Sequence, residues 1–179
     1  SMTEHTHERD IMERLELKDS LINLYEDDEL TYSFDWERLS DIWDYATLDD
    51  VEGISANYVD GLMSVILTTA EGQGGIVAVV DTANDEIIHY HDGSFAVRTL
   101  MAGDRIVTLY HVMCYGTAPT YYVDCMYLDH MEMTEADDNI KLPEDTEFND
   151  EEIVLTLVEE KLTIEDGTDT MDIDISELI

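Results

Sequence analysis

The sequence predicts an α+β fold in which two N-terminal helices pack on an antiparallel β-meander sheet of about six to eight strands, or on such a sheet curled into a half-barrel. Apolar residues recur at helical spacing near the start, and short runs rich in Val, Ile, Tyr and Thr follow. The turns between those runs are too short for parallel crossovers, so the sheet is expected to be antiparallel. With 179 residues and 44% hydrophobic content, the chain can bury a core.

The chain is expected to form a single α+β domain over residues 9–179, after a disordered start at residues 1–8. The domain has four predicted parts: a helical acidic part at 9–60, a β-meander at 61–130, an acidic loop at 131–150 and C-terminal strands at 151–179. A nearly neutral, β-rich middle is therefore flanked by two acidic ends.

The two helices are predicted from apolar spacing. The first spans residues 9–25, where the apolar residues recur roughly at helical positions. The second spans residues 35–45, where Asp35 can cap the N-terminus and where Trp36 and Trp43 fall on an apolar stripe. Both tryptophans are expected to pack this helix against the sheet.

Six strands are predicted in the middle of the chain from runs rich in β-branched and aromatic residues. They cover residues 62–69, 76–81, 86–91, 95–101, 105–114 and 121–129. Asp92 and Gly93 give the strongest hairpin signal, because a type I′ turn needs positive φ at both central positions. Strand-like patterns return at residues 153–164 and 171–175, with a hairpin turn at 165–168 between them.

Charge is the most informative feature for function. The chain has 44 acidic and 8 basic side chains, a formal net charge of -36. Residues 1–60 and 131–179 carry 18 acids each, whereas residues 61–130 carry only 8. Such a field repels nucleic acid and anionic membranes and attracts basic partners, so no direct binding to either polyanion is expected.

The densest acidic clusters are the predicted partner-binding residues. They are Glu26, Asp27, Asp28, Glu29, Asp137, Asp138, Glu144, Asp145 and Glu147. Solubility needs a far smaller charge, and self-repulsion destabilises the compact state. The sequence therefore predicts a non-enzymatic acidic interaction protein that binds and blocks a basic partner, such as a nucleic-acid-binding protein or a nuclease. It would act as an inhibitor, an immunity-type protein or a nucleic-acid mimic.

In charge and size the chain resembles acidic immunity proteins and antirestriction proteins, and the resemblance is one of composition. No Gly-x-Ser-x-Gly elbow, phosphate loop or dinucleotide fingerprint is present. No window matches an EF-hand calcium loop. The sequence accordingly favours a protein without catalytic residues or a cofactor, although it does not decide whether the chain is an enzyme.

Two alternatives stay open. In one, the chain is a small metal-dependent enzyme that uses a sheet face bearing His89, His91 and His111. His89 and His91 share a strand face, and two-residue hairpins after them place His111 in the same row, roughly 9–10 Å away. In the other, the chain is an accessory domain of unknown function that has no tight partner.

A cytoplasmic protein with reduced thiols is expected. Residues 1–10 are polar and charged rather than signal-like, and the longest apolar run, residues 61–68, is too short to span a bilayer. Cys114 and Cys125 form one disulfide if their strands are adjacent, and the sequence leaves that pairing open. It makes no prediction of the oligomeric state.

Overall fold

The computed structural model describes residues 11–134, 136 and 138–179, and it is almost entirely β. Strands account for 53% of the described residues and helical turns for 7%. The α+β prediction with two N-terminal helices is therefore wrong. The disordered start predicted for residues 1–8 lies outside the described residues.

The chain divides into two compact units, Ser1–Leu48 and Asp49–Ile179, which are described separately here. The single domain predicted for residues 9–179 stays a prediction. Every pair of neighbouring strands in the described sheets is antiparallel. The described strands are β1 (Glu13–Lys18), β2 (Leu21–Glu26), β3 (Glu29–Asp35), β4 (Gly53–Val59), β5 (Leu62–Thr68), β6 (Gly75–Asp81), β7 (Glu86–Asp92), β8 (Ala96–Ala102), β9 (Arg105–Val112), β10 (Thr120–Tyr127), β11 (Asn139–Lys141), β12 (Val154–Val158), β13 (Lys161–Glu165) and β14 (Thr170–Asp174).

The first unit contains a three-stranded sheet in the order β1-β2-β3, in the place of the first predicted helix. Leu15 pairs with Leu24, and Leu17 pairs with Ile22, so the apolar residues alternate along both strands. The apolar residues in this short segment satisfy a period of 2 as well as a period of 3.6, and cross-strand pairing selects the strand.

The four consecutive acids from Glu26 to Glu29 form the hairpin between β2 and β3, so no helix ends there. Asp27 has φ of 50° and Asp28 has φ of 66°, so both adopt the left-handed conformation. A type I′ hairpin turn needs this conformation at both central residues, and aspartate tolerates it better than most side chains. The acidic run thus forms the tip of a hairpin.

The second predicted helix is shortened to a 3₁₀ helix over Trp36–Asp41. Its predicted cap is present, because the Asp35 carboxylate accepts a hydrogen bond from the Glu37 N–H at 3.0 Å. The residues after it include Asp44, Asp49 and Asp50, and aspartate competes with the helix by bonding to nearby backbone groups. Trp36 and Leu39 are buried, Trp43 is half-buried, and the helix ends within two turns.

The second unit is built from three sheets rather than from one meander. Their orders are β4-β5-β6-β7, β11-β10-β9-β8 and β12-β13-β14. The first two sheets pack face to face, with Ile66 and Val79 of one meeting Ile106 and Met126 of the other in a single apolar cluster. All six predicted middle strands exist as β5 to β10, but the sheet is divided between β7 and β8.

The division follows from the segment that was predicted to be a hairpin at Asp92 and Gly93. The Asp92 carboxylate accepts hydrogen bonds from the N–H and the hydroxyl of Ser94, at 2.9 and 2.7 Å. The Gly93 N–H donates to the Gly75 carbonyl at 3.0 Å, where a Cβ on Gly93 would collide with backbone. The chain therefore crosses from the first sheet to the second, and β7 and β8 are not neighbours.

The third sheet covers the opposite face of the second one. Leu162, Ile164 and Ile175 join Val107 and Leu109 in a second buried cluster. Because side chains alternate along a strand, odd-numbered residues of β9 face the third sheet and even-numbered residues face the first. Both faces of β9 are thus buried, and two adjacent residues of this strand serve different sites.

Asp166 holds the end of the acidic segment before the third sheet in place through hydrogen bonds. Its carboxylate accepts hydrogen bonds from the backbone N–H groups of Asn149, Thr168 and Asp169, at 2.7, 2.9 and 2.7 Å. These bonds hold the pKa of Asp166 below its usual value, because they stabilise the charged form. They also connect the end of the predicted acidic loop to the β13–β14 turn.

The thiols of Cys114 and Cys125 are free, and Cys114 is exposed. No helix in the described residues has the length and apolar character needed to cross a bilayer. The predicted compartment stays a prediction.

Candidate functional site

The acidic hairpin tip of the first unit presents the first group of predicted partner-binding residues. Asp27, Asp28 and Glu29 are exposed, and Glu26 is half-buried. The Asp27 carboxylate accepts a hydrogen bond from the Met12 N–H at 3.2 Å, and Glu26 accepts one from the Thr31 hydroxyl at 2.9 Å. The tip is therefore ordered by its own acids, while most of their charge faces solvent.

The second group lies in the second unit. Asp138, Glu144, Asp145 and Glu147 are all exposed, and Lys141 approaches Glu144 at 3.4 Å. Asp137 lies outside the described residues. The structure thus places the predicted acids on the surface, with one group in each unit.

Basic side chains compensate little of this charge, because the sequence has only 8 of them against 44 acids. Arg14 lies over the Tyr25 ring at 4.2 Å, and Arg105 lies over the Tyr127 ring at the same distance. Arg38 lies over an aromatic ring as well, and Arg98 bonds to three backbone carbonyls. With only 8 basic side chains in the sequence, the acidic surface stays largely uncompensated.

The predicted histidine pair is buried between the first two sheets. His89 and His91 have no exposed surface, and Nε2 of His89 lies 2.7 Å from Nδ1 of His91. Nε2 of His91 lies 3.0 Å from the Tyr110 hydroxyl. The pair therefore forms a hydrogen-bonded chain with a tyrosine of the facing sheet.

Burial keeps this histidine pair uncharged. Burial, with a smaller contribution from His130, lowers the pKa of His89 to about 4. Burial, with smaller contributions from His89 and His130, lowers the pKa of His91 to about 3. The His130 ring lies 6.3 Å from that of His89. Nδ1 of His89 makes no hydrogen bond of good geometry. Nearby backbone groups of Tyr127 and Leu128 act in the opposite direction to burial and raise the pKa of His89. Both rings are neutral at neutral pH.

The polar chain continues from Tyr110 to a buried carboxyl group. Burial raises the pKa of Tyr110, and so does Asp124, which hydrogen-bonds to its hydroxyl. Tyr110 and Asp124 line a cavity of about 410 Å³. Four buried polar side chains thus connect the two facing sheets inside an otherwise apolar core. These hydrogen bonds favour one register of the two packed sheets.

His111, the third predicted metal ligand, lies on the opposite face of β9. Its Nδ1 lies 2.6 Å from the Asp150 carboxylate, and its ring stacks on Tyr121 at 3.8 Å with the planes 12° apart. The structure does not bring His111 to the histidine pair, because adjacent strand residues alternate in direction and no hairpin joins β7 to β8. No group of three or more His, Cys, Asp or Glu side chains among the described residues is arranged to hold a metal ion.

His111 and Asp150 line a cleft of about 610 Å³ in the second unit, named here the His111 cleft. Its lining includes apolar side chains, three further acids and one arginine. These are Ile54, Ile66, Phe95 and Met113, then Glu52, Glu71 and Glu151, and finally Arg98. The acids come from three separate segments of the chain, which only the fold brings together.

Asp150 organises the floor of the His111 cleft. One carboxylate oxygen accepts the hydrogen bond from His111, and the other accepts one from the Tyr121 hydroxyl at 2.5 Å. Burial raises the pKa of Tyr121, and the bond to Asp150 raises it further. When Nδ1 of His111 donates its proton to Asp150, Nε2 of the neutral ring carries the lone pair and can accept a hydrogen bond.

Arg98 reaches the same region through a β-bulge. The register of β8 against β9 shifts between Ala96 and Arg98, which turns Arg98 toward the face that bears His111. Its guanidinium donates to the carbonyls of Val97, Glu151 and Ile153, at 2.7, 2.8 and 2.9 Å. Burial lowers the pKa of Arg98, and Asp150 opposes that change. Arg98 therefore holds the Asp150–Glu152 turn in place.

Sequence reasoning missed this arrangement. His111 and Asp150 are 39 residues apart, and Asp150 stands in a run of acids that gives no sign of a special role. The contact requires the third sheet to pack on the second, which no local pattern indicates.

Comparison with known proteins finds no matching family model, no matching curated protein and no matching solved structure. The residues and their geometry are therefore the basis for the functional proposals that follow.

Proposed function

We propose that this chain is a non-enzymatic acidic protein that binds and blocks a basic partner, such as a nucleic-acid-binding protein or a nuclease. The observation that carries the proposal is the asymmetry of its charged groups. The acidic clusters lie exposed in both units, where Arg14 approaches Asp28 at 4.0 Å and Lys141 approaches Glu144 at 3.4 Å. With 44 acids against 8 basic side chains, most of the acids have no cation to offset them. The negative field is thus available to a partner rather than cancelled internally.

The physical mechanism is electrostatic. A strongly negative surface steers the approach of a positively charged groove and raises the association rate. Exposed carboxylates can then occupy positions that phosphates take in a nucleic-acid complex. At the hairpin tip these carboxylates stand on an ordered turn, so fewer side-chain rotamers are lost on binding.

The metal-dependent enzyme considered as an alternative has weaker support. His89 and His91 are fully buried with neutral rings, and His111 projects from the other face of its sheet. A metal site at this pair would need ligands that the described residues do not gather there.

The test is capture of basic proteins from lysate of the source organism on the immobilised chain, with elution by a salt gradient. We expect one basic protein to be retained stoichiometrically and released by moderate salt. Its affinity for the purified chain should fall steeply with ionic strength, because exposed charges are screened.

Matched charge variants identify the surface. Asp28→Asn with Glu29→Gln removes two charges at the hairpin tip, and asparagine keeps the left-handed turn accessible. The control removes two exposed charges elsewhere, with Glu86→Gln and Asp104→Asn. We expect the tip variant to bind roughly tenfold more weakly, a change of about 1.4 kcal/mol, and the control to bind as the wild type. If both pairs of substitutions weaken partner binding equally, or if many unrelated basic proteins are captured, the acidic surface attracts basic proteins only nonspecifically and the proposal is wrong.

A further inference from the structure

The His111 cleft combines two kinds of lining that rarely suit the same ligand. Its walls include the apolar side chains of Ile54, Phe95 and Met113, whereas its acids come from other segments. A volume of about 610 Å³ lies within the range of ligand sites. A group with an apolar stem and a positively charged head would satisfy both parts of the lining.

His111 provides a hydrogen-bond acceptor within this cleft. Its Nδ1 is occupied by Asp150, and no described residue hydrogen-bonds to its Nε2. The side chain is 16% exposed and lines the cleft. A ligand that binds there must therefore bring an N–H or O–H donor.

The acceptor is held rigidly. The His111 ring is stacked on Tyr121, and the Tyr121 hydroxyl bonds to the same carboxylate that holds Nδ1. Phe148 packs edge-on against Tyr121 at 5.5 Å and limits its movement. A group positioned in this way loses little conformational entropy when a ligand binds.

The arginine already present offsets only one of the four carboxylates that line the cleft, which belong to Glu52, Glu71, Asp150 and Glu151. Three hydrogen bonds from Arg98 go to backbone carbonyls, and these fix its guanidinium to the Asp150–Glu152 turn. The acids Glu52, Glu71 and Glu151 are exposed. Positive charge brought from outside would thus be favoured at the rim.

We propose that the His111 cleft binds an arginine side chain of the basic partner, with its guanidinium donating to Nε2 of His111 and its alkyl stem lying on Phe95 and Met113. This proposal rests on the proposed function and names the part of the partner that is recognised. Arginine fits better than lysine, because its planar guanidinium offers several donors at once and stacks on aromatic rings.

The test uses the full chain, labelled in histidine rings and methionine methyl groups, and N-acetyl-arginine methylamide as the probe. We expect saturable NMR shifts at the His111 ring and the Met113 methyl, with a Kd on the order of 1 mM for a ligand of this size. The citrulline analogue has nearly the same shape without charge and should bind at least tenfold more weakly. The lysine analogue should fall between the two. Equal binding of arginine and citrulline analogues, or no shift at His111 and Met113, would overturn the proposal.

Variants separate the acceptor from general attraction. His111→Phe keeps an aromatic ring on Tyr121 and removes Nε2, so the probe should bind at least fivefold more weakly. Asp104→Asn removes a charge in the exposed β8–β9 turn and should leave probe binding unchanged. Equal effects of these two variants would show that charge alone attracts the probe, and would also overturn the proposal.

Failure here is distinguishable from failure of the proposed function. If the arginine probe leaves His111 unshifted while a basic partner is still captured through the hairpin tip, only the cleft proposal fails. If the probe binds at His111 and no basic partner is retained, the proposed function fails. The cleft then still binds arginine, but the arginine belongs to a different ligand.

Discussion

Nε2 of His89 lies 2.7 Å from Nδ1 of His91, and the two rings meet at an angle of 68° in a site with no exposed surface. In a neutral pair, one imidazole donates its N–H and the other accepts through its lone pair, so this contact brings no charge into the apolar core. Because the two rings are buried where the facing sheets pack, that packing lowers the pKa of both histidines.

The first prediction concerns stability against pH. The folded-state pKa values of His89 and His91 are about 4 and about 3, below the ordinary value of 6.5. Between pH 6.5 and 4 the unfolded chain binds protons that the folded chain does not, so stability should fall as pH falls through this window. The slope is at most about 1.4 kcal/mol per histidine per pH unit.

Urea unfolding of the wild type and of His89→Leu between pH 6.5 and 5 measures this slope, because both chains carry the same 44 carboxylates and their contribution cancels in the comparison. In His89→Leu the slope should be reduced by roughly half, since one of two neutral histidines is gone. An unchanged slope in that variant would show that the pair does not control the acid stability.

The second prediction concerns the Tyr110 hydroxyl. In Tyr110→Phe the buried Nε2 of His91 and the Asp124 carboxyl lose a hydrogen-bond partner, while the ring volume is preserved. The free energy of unfolding should drop by about 1–3 kcal/mol, the cost of leaving buried polar groups unsatisfied. Tyr122→Phe is the matched control, because Tyr122 lies on the neighbouring strand and is half-buried. It should change stability by less than about 0.5 kcal/mol.

The third prediction concerns Arg98 and the turn it holds. In Arg98→Met the alkyl stem is kept and the three hydrogen bonds to carbonyls are lost. The free energy of unfolding should fall by about 2 kcal/mol. Amide hydrogen exchange should quicken selectively at residues 150–153. Lys161→Met, which removes an exposed charge in the third sheet, should leave that exchange unchanged. Faster exchange spread over all three sheets would point to global loosening instead.

The fourth prediction concerns salt. With a net charge of -36, like charges on the folded surface repel one another. Raising the ionic strength from 0.01 to 1 M shortens the Debye length from about 30 to about 3 Å. We therefore expect the thermal midpoint to rise by several degrees with NaCl. Sucrose of equal osmolality controls for solvent exclusion. A midpoint that is insensitive to NaCl would mean that the exposed acids are too far apart to destabilise the fold.

Much of the β structure was readable from the chain because its signals are local. Six middle strands match β5 to β10 closely, since β-branched runs and turn residues act over a few positions. The prediction of the first helix was wrong for a related reason. The apolar residues of 13–26 fit both the helical and the strand period, and the pairing of Leu15 with Leu24 and of Leu17 with Ile22 selects the strand. The predicted hairpin at Asp92 and Gly93 does not form, because the Gly93 backbone lies close to that of Gly75.

The candidate site shows the same limit more sharply. Exposure of the acids at Asp28, Glu29 and Glu144 follows from their charge, and the sequence alone indicated it. The meeting of His111 with Asp150 depends on a third sheet packing against the second, over 39 residues of chain. Periodicity contains no information about such distances.

By itself, then, the sequence determined the charge, the position of the acids at the two ends and most of the strands, because these depend on composition and short-range pattern. Only the tertiary structure decided how the strands divide among sheets and which face of β9 each side chain joins. It therefore also decided that His91 enters a buried chain while His111 lines an acidic cleft. A shift of one residue along a strand reverses the direction of a side chain, and only packing against other layers fixes which direction reaches a site.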